Sequence, residues 1–187
     1  AVAWFEKALS DGVVPNIRTF NALIMLCAKR GDKKSAVAWL NKARDAGKRP
    51  DDVTHLAIID ADANTANVGG CLATLDIMRK SGVRPNVYHY ASALKGCAKS
   101  RSDKSVTAWG LVQRMIEEGV APNMVIYNMA IKSCRLAKPR MNEAAEHLFR
   151  HMLDLEVKPD KWTKVYLGNV VGPERLQELC TELKVPL

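Results

Sequence analysis

The chain has 187 residues, 48% of them apolar, which is enough to bury a continuous core in one or two domains and too much for a disordered tail. Its 28 Lys and Arg outnumber 20 Asp and Glu, and the resulting +8 favours polyanionic partners over basic ones. Five cysteines without a Cys-x-x-Cys pair argue against a disulfide framework or a zinc knuckle and fit a reducing compartment, and no run of 18 apolar residues is available to span a membrane.

The opening AVAWFEKALSDG reads as an amphipathic helix, without the basic and apolar regions of a signal peptide. It runs to Gly12 and then Pro15-Asn16, and the same ending returns at Pro50-Asp51, Pro85-Asn86, Pro122-Asn123 and Pro159-Asp160, at steps of 35, 35, 37 and 37 residues. Three residues before each Pro stands Gly12, Gly47, Gly82 or Gly119, with Glu156 the one departure. Gly supplies a left-handed helix C-cap and Pro cannot continue a helix, so each ending separates two helices.

Small residues recur fourteen positions before each Pro (Ala1, Ala36, Cys71, Ala108, Ala145), followed by apolar residues at ten (Phe5, Leu40, Leu75, Val112, Phe149) and seven (Ala8, Ala43, Met78, Met115, Met152). Steps of four and three mark one buried helical face. After the Pro, a second set of columns runs Phe20, His55, Tyr90, Tyr127, then Ile24, Ile59, Leu94, Ile131, then Cys27, Cys97, Cys134, where Asp62 breaks the pattern. Four copies of helix, turn, helix are therefore expected at 17–51, 52–86, 87–123 and 124–160. Residues 1–16 match only the second helix of a copy, so the array is expected to extend further on that side. The two extra residues of the later copies are placed in the turns near Ser102 and Pro139. Residues 161–187 lose the pattern after Leu167, pass Val171-Gly172-Pro173 and enter a helix, ERLQELCTEL, as a capping element.

In this frame the first copy opens IRTFNALIMLCAKRGD and closes AGKRPD, which resembles the pentatricopeptide repeat. The resemblance spans residues 1–160 and implies an all-α, right-handed α-solenoid of helix-turn-helix repeats. It also implies single-stranded RNA binding along the concave face of the first helices, one base per repeat. The family reads a base with the fifth and last residues of a repeat. Carried over, these are Asn21 with Asp51, Leu56 with Asn86, Ala91 with Asn123, and Asn128 with Asp160. Asn with Asp implies uridine, whereas Leu56 and Ala91 cannot hydrogen-bond a base, so the resemblance implies the pattern uridine, any, any, uridine. The second residue, which wedges between bases, is Arg18, Val53, Tyr88 or Val125, and the resemblance implies phosphate contacts for Lys29 and Lys99, replaced by Asn64 and Leu136 in the other copies.

The same residues have plainer uses. Asn or Asp after Pro is also a helix N-cap, so Asp51 and Asp160 are expected to cap, to read, or both. The Cys27, Cys97, Cys134 column reads as small buried hydrophobes, Trp4 and Trp39 as core, and His147 with His151 as a solvated pair lacking a third metal ligand. Asp60 to Asn64 imitates half a calcium loop but has Thr65 where Gly is needed and Cys71 where Glu is needed. No cofactor, metal centre or catalytic constellation is indicated. The resemblance implies a non-catalytic RNA-binding adaptor of a mitochondrion or plastid. The alternatives are a scaffold that binds protein subunits of an organellar assembly such as a ribosome, or the targeting arm of an enzyme whose catalytic domain lies elsewhere.

Overall fold

The computed structural model describes residues 2–100, 105–136 and 141–186, apart from the side chains of Val2, Ala8, Leu136 and residues 105–107. Every regular element among them is a helix: α1 (Val2–Ser10), α2 (Ile17–Lys29), α3 (Lys33–Asp45), α4 (Asp52–Asn64), α5 (Val68–Lys80), α6 (Val87–Lys99), α7 (Ser105–Glu117), α8 (Met124–Leu136), α9 (Asn142–Asp154), α10 (Lys161–Val171) and α11 (Pro173–Glu182). The turns expected near Ser102 and Pro139 lie outside the described residues. No described helix is long and apolar enough to cross a membrane.

Two compact units divide the chain, Ala1–Pro85 and Asn86–Leu187. In the first, α2 packs on its own partner α3 and on the next first helix α4, which in turn packs on α5. In the second, the first helices α6, α8 and α10 pack in succession, with α7 and α9 as their hairpin partners. The expected columns form these cores. Ile24, Ile59, Leu94 and Ile131 are fully buried, as are Ala36, Cys71, Ala108 and Ala145 on the second helices. Each isoleucine contributes about 1.5–3 kcal/mol by leaving water, and the small residues admit the close approach of neighbouring helices.

One ending recurs throughout. Gly12, Gly47, Gly82 and Gly119 have φ between +69° and +79°. The residue after three of them sends its N–H back five positions: Lys48 to Ala43, Val83 to Met78 and Val120 to Met115. Glu156 takes the same left-handed conformation, φ +57°, and Val157 bonds Met152 in the same way. Four residues after each left-handed position comes the next N-cap. Asn16 receives the N–H of Thr19, Asp51 that of Thr54, Asn86 that of Tyr88, Asn123 that of Ile126 and Asp160 that of Thr163.

Three expectations need correction. Trp39 is buried against Phe5, whose ring stands 5.1 Å away edge-on, but Trp4 is 74% exposed. Phe5 of α1 packs its ring on both Phe20 and Trp39, whereas Trp4 stands at the edge of an apolar cleft with Leu9, Val13 and Pro15. The histidines are not simply solvated: His151 is half-buried, its Nδ1 2.8 Å from the Tyr127 hydroxyl, and the edges of His147 and His151 pack against Trp109. Among the thiols, Cys97 and Cys134 are buried but Cys27 only half so, and burial lifts the Cys134 pKa to about 11.

The broken column at Asp62 has a local explanation. Its carboxylate is fully buried, with Lys33 Nζ 2.6 Å and Asn67 Nδ2 2.7 Å from Oδ1. Gly70 leaves the room: a Cβ there would overlap the Asp62 carboxylate and Asn67.

Candidate nucleic-acid interface

The first unit assembles one complete pair. Asn21 lies on the second turn of α2 and Asp51 caps α4, 30 residues later, yet Asn21 Nδ2 donates to Asp51 Oδ1 at 2.9 Å. The same oxygen accepts the Thr54 N–H at 2.8 Å. Capping and pairing are therefore both performed by Asp51. Thr54 closes the arrangement, since its hydroxyl lies 2.6 Å from Asn21 Oδ1 and 2.7 Å from Asp51 Oδ1, and it accepts the Asp51 N–H at 3.1 Å. Burial pushes the Asp51 carboxyl upward, but the hydrogen bonds from Thr54 and Asn21 outweigh it and hold the group below its ordinary value. Asp51 is thus an anion, and an acceptor only, at neutral pH.

The second unit repeats the pair with a difference. Asn128 Nδ2 donates to Asp160 Oδ1 at 3.2 Å, and Asp160 caps α10 with Thr163 at N3. Among the described residues, the Thr163 hydroxyl donates to Asp160 alone, at 2.9 Å, and the buried Asn128 Oδ1 has no hydrogen-bond partner. The Thr163 N–H, opposed by burial and joined by the Thr163 hydroxyl and Asn128, holds Asp160 below its ordinary value as well. In both pairs a carboxylate that can only accept fixes which end of the asparagine amide faces it.

The remaining copies have no such pair. Leu56 and Ala91 are half-buried, while Asn86 and Asn123 serve as caps. Leu56 belongs to the first unit and Asn86 to the second. Asn64, standing where the first copy has Lys29, donates to Ala28 O at 2.9 Å and so closes the end of α2. Lys29 and Lys99 are exposed at the C-terminal ends of α2 and α6.

Arg18, Val53, Tyr88 and Val125 are all exposed on the first turns of their helices, Tyr88 by 72%. The column has a fifth member that sequence reasoning missed. Trp162 stands three residues after Pro159, as Val125 stands after Pro122, and is half exposed on α10. Its ring stacks on Tyr166, with centroids 6.2 Å apart and planes at 26°. Together with Val125, Asn128, Lys132 and Asp160, these rings line a cleft of about 350 Å³. Lys132 Nζ lies 5.4 Å from the centre of the Tyr166 ring. The first helix after residue 160, α10, packs on α8 as α8 packs on α6.

The model of the pentatricopeptide repeat domain matches three overlapping stretches, residues 4–65, 38–100 and 73–135. The chain belongs to the pentatricopeptide repeat family. Among solved structures, the pentatricopeptide repeat protein PPR10 from maize superimposes with a TM-score of 0.83 at 20% identity, covering 96% of this chain and 26% of that one. A second structure of PPR10, in complex with an 18-nt psaJ RNA element, gives 0.76 at the same identity and coverage. The pentatricopeptide domain of Arabidopsis thaliana protein-only RNase P 1, in complex with tRNA, gives 0.73 at 15% identity, covering 95% of this chain and 88% of that domain. These likenesses carry the fold, an all-α solenoid of helical hairpins. The chain spans about a quarter of the length of PPR10. No curated protein matches it in sequence.

Proposed function

We propose that this chain binds single-stranded RNA across its first helices and reads uridine at two positions, through Asn21 with Asp51 and Asn128 with Asp160. The observation that carries the reading is the side-chain bond in each pair, 2.9 and 3.2 Å, which joins residues about 30 apart and leaves the amide a second N–H for a base edge. A helix cap alone has no need of that asparagine. The +8 charge supplies attraction for a phosphate backbone, and exposed Arg18, Tyr88 and Trp162 supply surfaces for stacking. Two family members of the same fold, PPR10 and protein-only RNase P 1, have structures in complex with RNA. Leu56 and Ala91 make the middle positions indifferent to the base. The setting is an organelle, and the role that of a non-catalytic adaptor.

Fluorescence anisotropy with short labelled strands tests this. A strand with uridines separated by two adenosines should bind more tightly than an all-adenosine strand or a duplex, with affinity falling as salt rises. Asn21→Ala or Asn128→Ala should cut the uridine preference, each by about 1–3 kcal/mol, with helical content unchanged. Lys29→Ala with Lys99→Ala should weaken every strand alike and flatten the salt dependence. Binding that ignores both asparagines, together with their requirement for association with a protein partner, favours the scaffold instead.

A further inference from the structure

The two asparagine readers are held differently. Thr54 is fully buried and has one hydroxyl proton to give, with Asn21 Oδ1 at 2.6 Å and Asp51 Oδ1 at 2.7 Å. Asp51 Oδ1 already receives two N–H groups, from Thr54 and from Asn21, whereas Asn21 Oδ1 has no other donor. The proton therefore belongs on Asn21, whose amide is then fastened at both ends, the nitrogen to a carboxylate and the carbonyl to a hydroxyl. In the second unit Thr163 is equally buried, but its hydroxyl reaches only Asp160. Asn128 Oδ1 is left buried without a donor, and the Asn128 to Asp160 bond is the longer of the two.

We infer that Thr54 is a positioning residue for base selection, and that the first reader discriminates more sharply than the fourth because its amide is locked at both ends. This inference rests on the RNA-binding reading. Uracil and cytosine present reversed edges: uracil pairs a carbonyl oxygen with a ring N–H, and cytosine an amine with a bare ring nitrogen. An amide held with its free N–H aimed at the uracil carbonyl meets cytosine's amine, a second donor, at the same place. An amide fastened only at its nitrogen, with an orphaned buried carbonyl, pivots about that one bond and gains by bringing the carbonyl toward any donor, an amine included. The first reader thus keeps uridine apart from cytidine, and the fourth accepts either pyrimidine more evenly.

The test isolates each reader by disabling the other. In an Asn128→Ala background, anisotropy measures the ratio of affinities for strands with uridine or cytidine at the remaining read position. Thr54→Val should lower that ratio by about three-fold or more, while Thr54→Ser, which keeps the hydroxyl, restores it. In an Asn21→Ala background, Thr163→Val breaks the matching capping box and should cost the fourth reader less of its ratio than Thr54→Val costs the first. Capping loss alone moves both chains' melting points but not this contrast. Should Thr54→Val fail to fold, Thr54→Cys retains the volume with a weaker donor, and its ratio should fall between serine and no discrimination. Equal effects of the two threonine changes, or a Thr54→Val ratio unchanged with Asn21 still reading, overturn the inference and leave RNA binding intact. An unmodified chain that binds every strand alike overturns the RNA reading, and this inference with it.

Discussion

Lys33 places its ammonium 2.6 Å from the carboxylate of Asp62, which has no exposure to solvent at all. The lysine opens α3, the aspartate closes α4, and the pair fills a position that two other copies give to buried cysteines. Removing one partner of a buried pair leaves an uncompensated charge. Asn67 still bonds Asp62 and Lys33 is partly exposed, so Lys33→Met should destabilise by about 2 kcal/mol, below the usual cost for a fully enclosed pair. Urea unfolding measures the difference, and an unchanged midpoint would show that Asn67 suffices to compensate Asp62.

Gly70→Ala should lower stability although it sits inside α5, where alanine is the better helix former by about 1 kcal/mol. The added methyl overlaps Asp62 and Asn67, and neither can move without breaking the buried hydrogen bond between them. Thermal melting of Gly70→Ala beside Gly69→Ala checks this, since a Cβ at Gly69 meets nothing closer than 3.9 Å.

Glu156→Gly should raise stability by about 0.5–1 kcal/mol. Glu156 holds φ +57° at a place where the other four junctions have glycine, and its side chain is exposed. Relief of the left-handed strain is partly offset by the greater freedom of glycine in the unfolded chain. Differential scanning calorimetry reads the shift; a lower melting point would mean that the glutamate side chain makes a compensating contact.

The carboxyls of Asp51 and Asp160 are both held below their ordinary value in the folded chain. A depressed folded pKa contributes stability that is fully present above the unfolded value, about 3.9, and is lost as pH falls through the folded value. The stability difference between the chain and Asp51→Asn should therefore be flat from about pH 5 to 8 and shrink below about pH 4. Denaturation at stepped pH tests it, as a difference that keeps growing on acidification would reverse the sign.

Trp162→Ala should weaken single-stranded RNA binding by about 1–3 kcal/mol while leaving the salt dependence unaltered, because a stacking surface is lost and no charge is. Trp162→Phe should retain part of the affinity. Tyr166, already stacked on Trp162, becomes the exposed ring in the alanine variant and sets the residual binding.

Periodicity made the helices and the Asn21 and Asn128 columns legible, because burial at steps of three and four repeats in every copy. What it could not disclose was how far a column is covered by neighbours. Trp4 and Trp39 share a column, and among the described residues only Trp39 has a ring packed over it. Thr54 was hidden by ambiguity, for Asp51 followed by Thr54 already makes sense as a capping box, and nothing in the sequence tells that the hydroxyl also reaches a residue 33 positions earlier. Trp162 escaped because the apolar pattern fades after Leu167, although the first turn of α10 still follows it.

The spacing between each left-handed residue and the N-cap four positions later is the same at all five junctions, from Gly12 and Asn16 to Glu156 and Asp160. Copies of 35 and 37 residues therefore differ only elsewhere. Because the cap that starts a first helix also sets where its fifth residue falls, length changes in the other turn leave the phase of the Asn21 and Asn128 column untouched. The connector acts as a fixed ruler, and the two extra residues of the later copies fall between the helices of a hairpin, where they leave the spacing from cap to fifth residue unchanged.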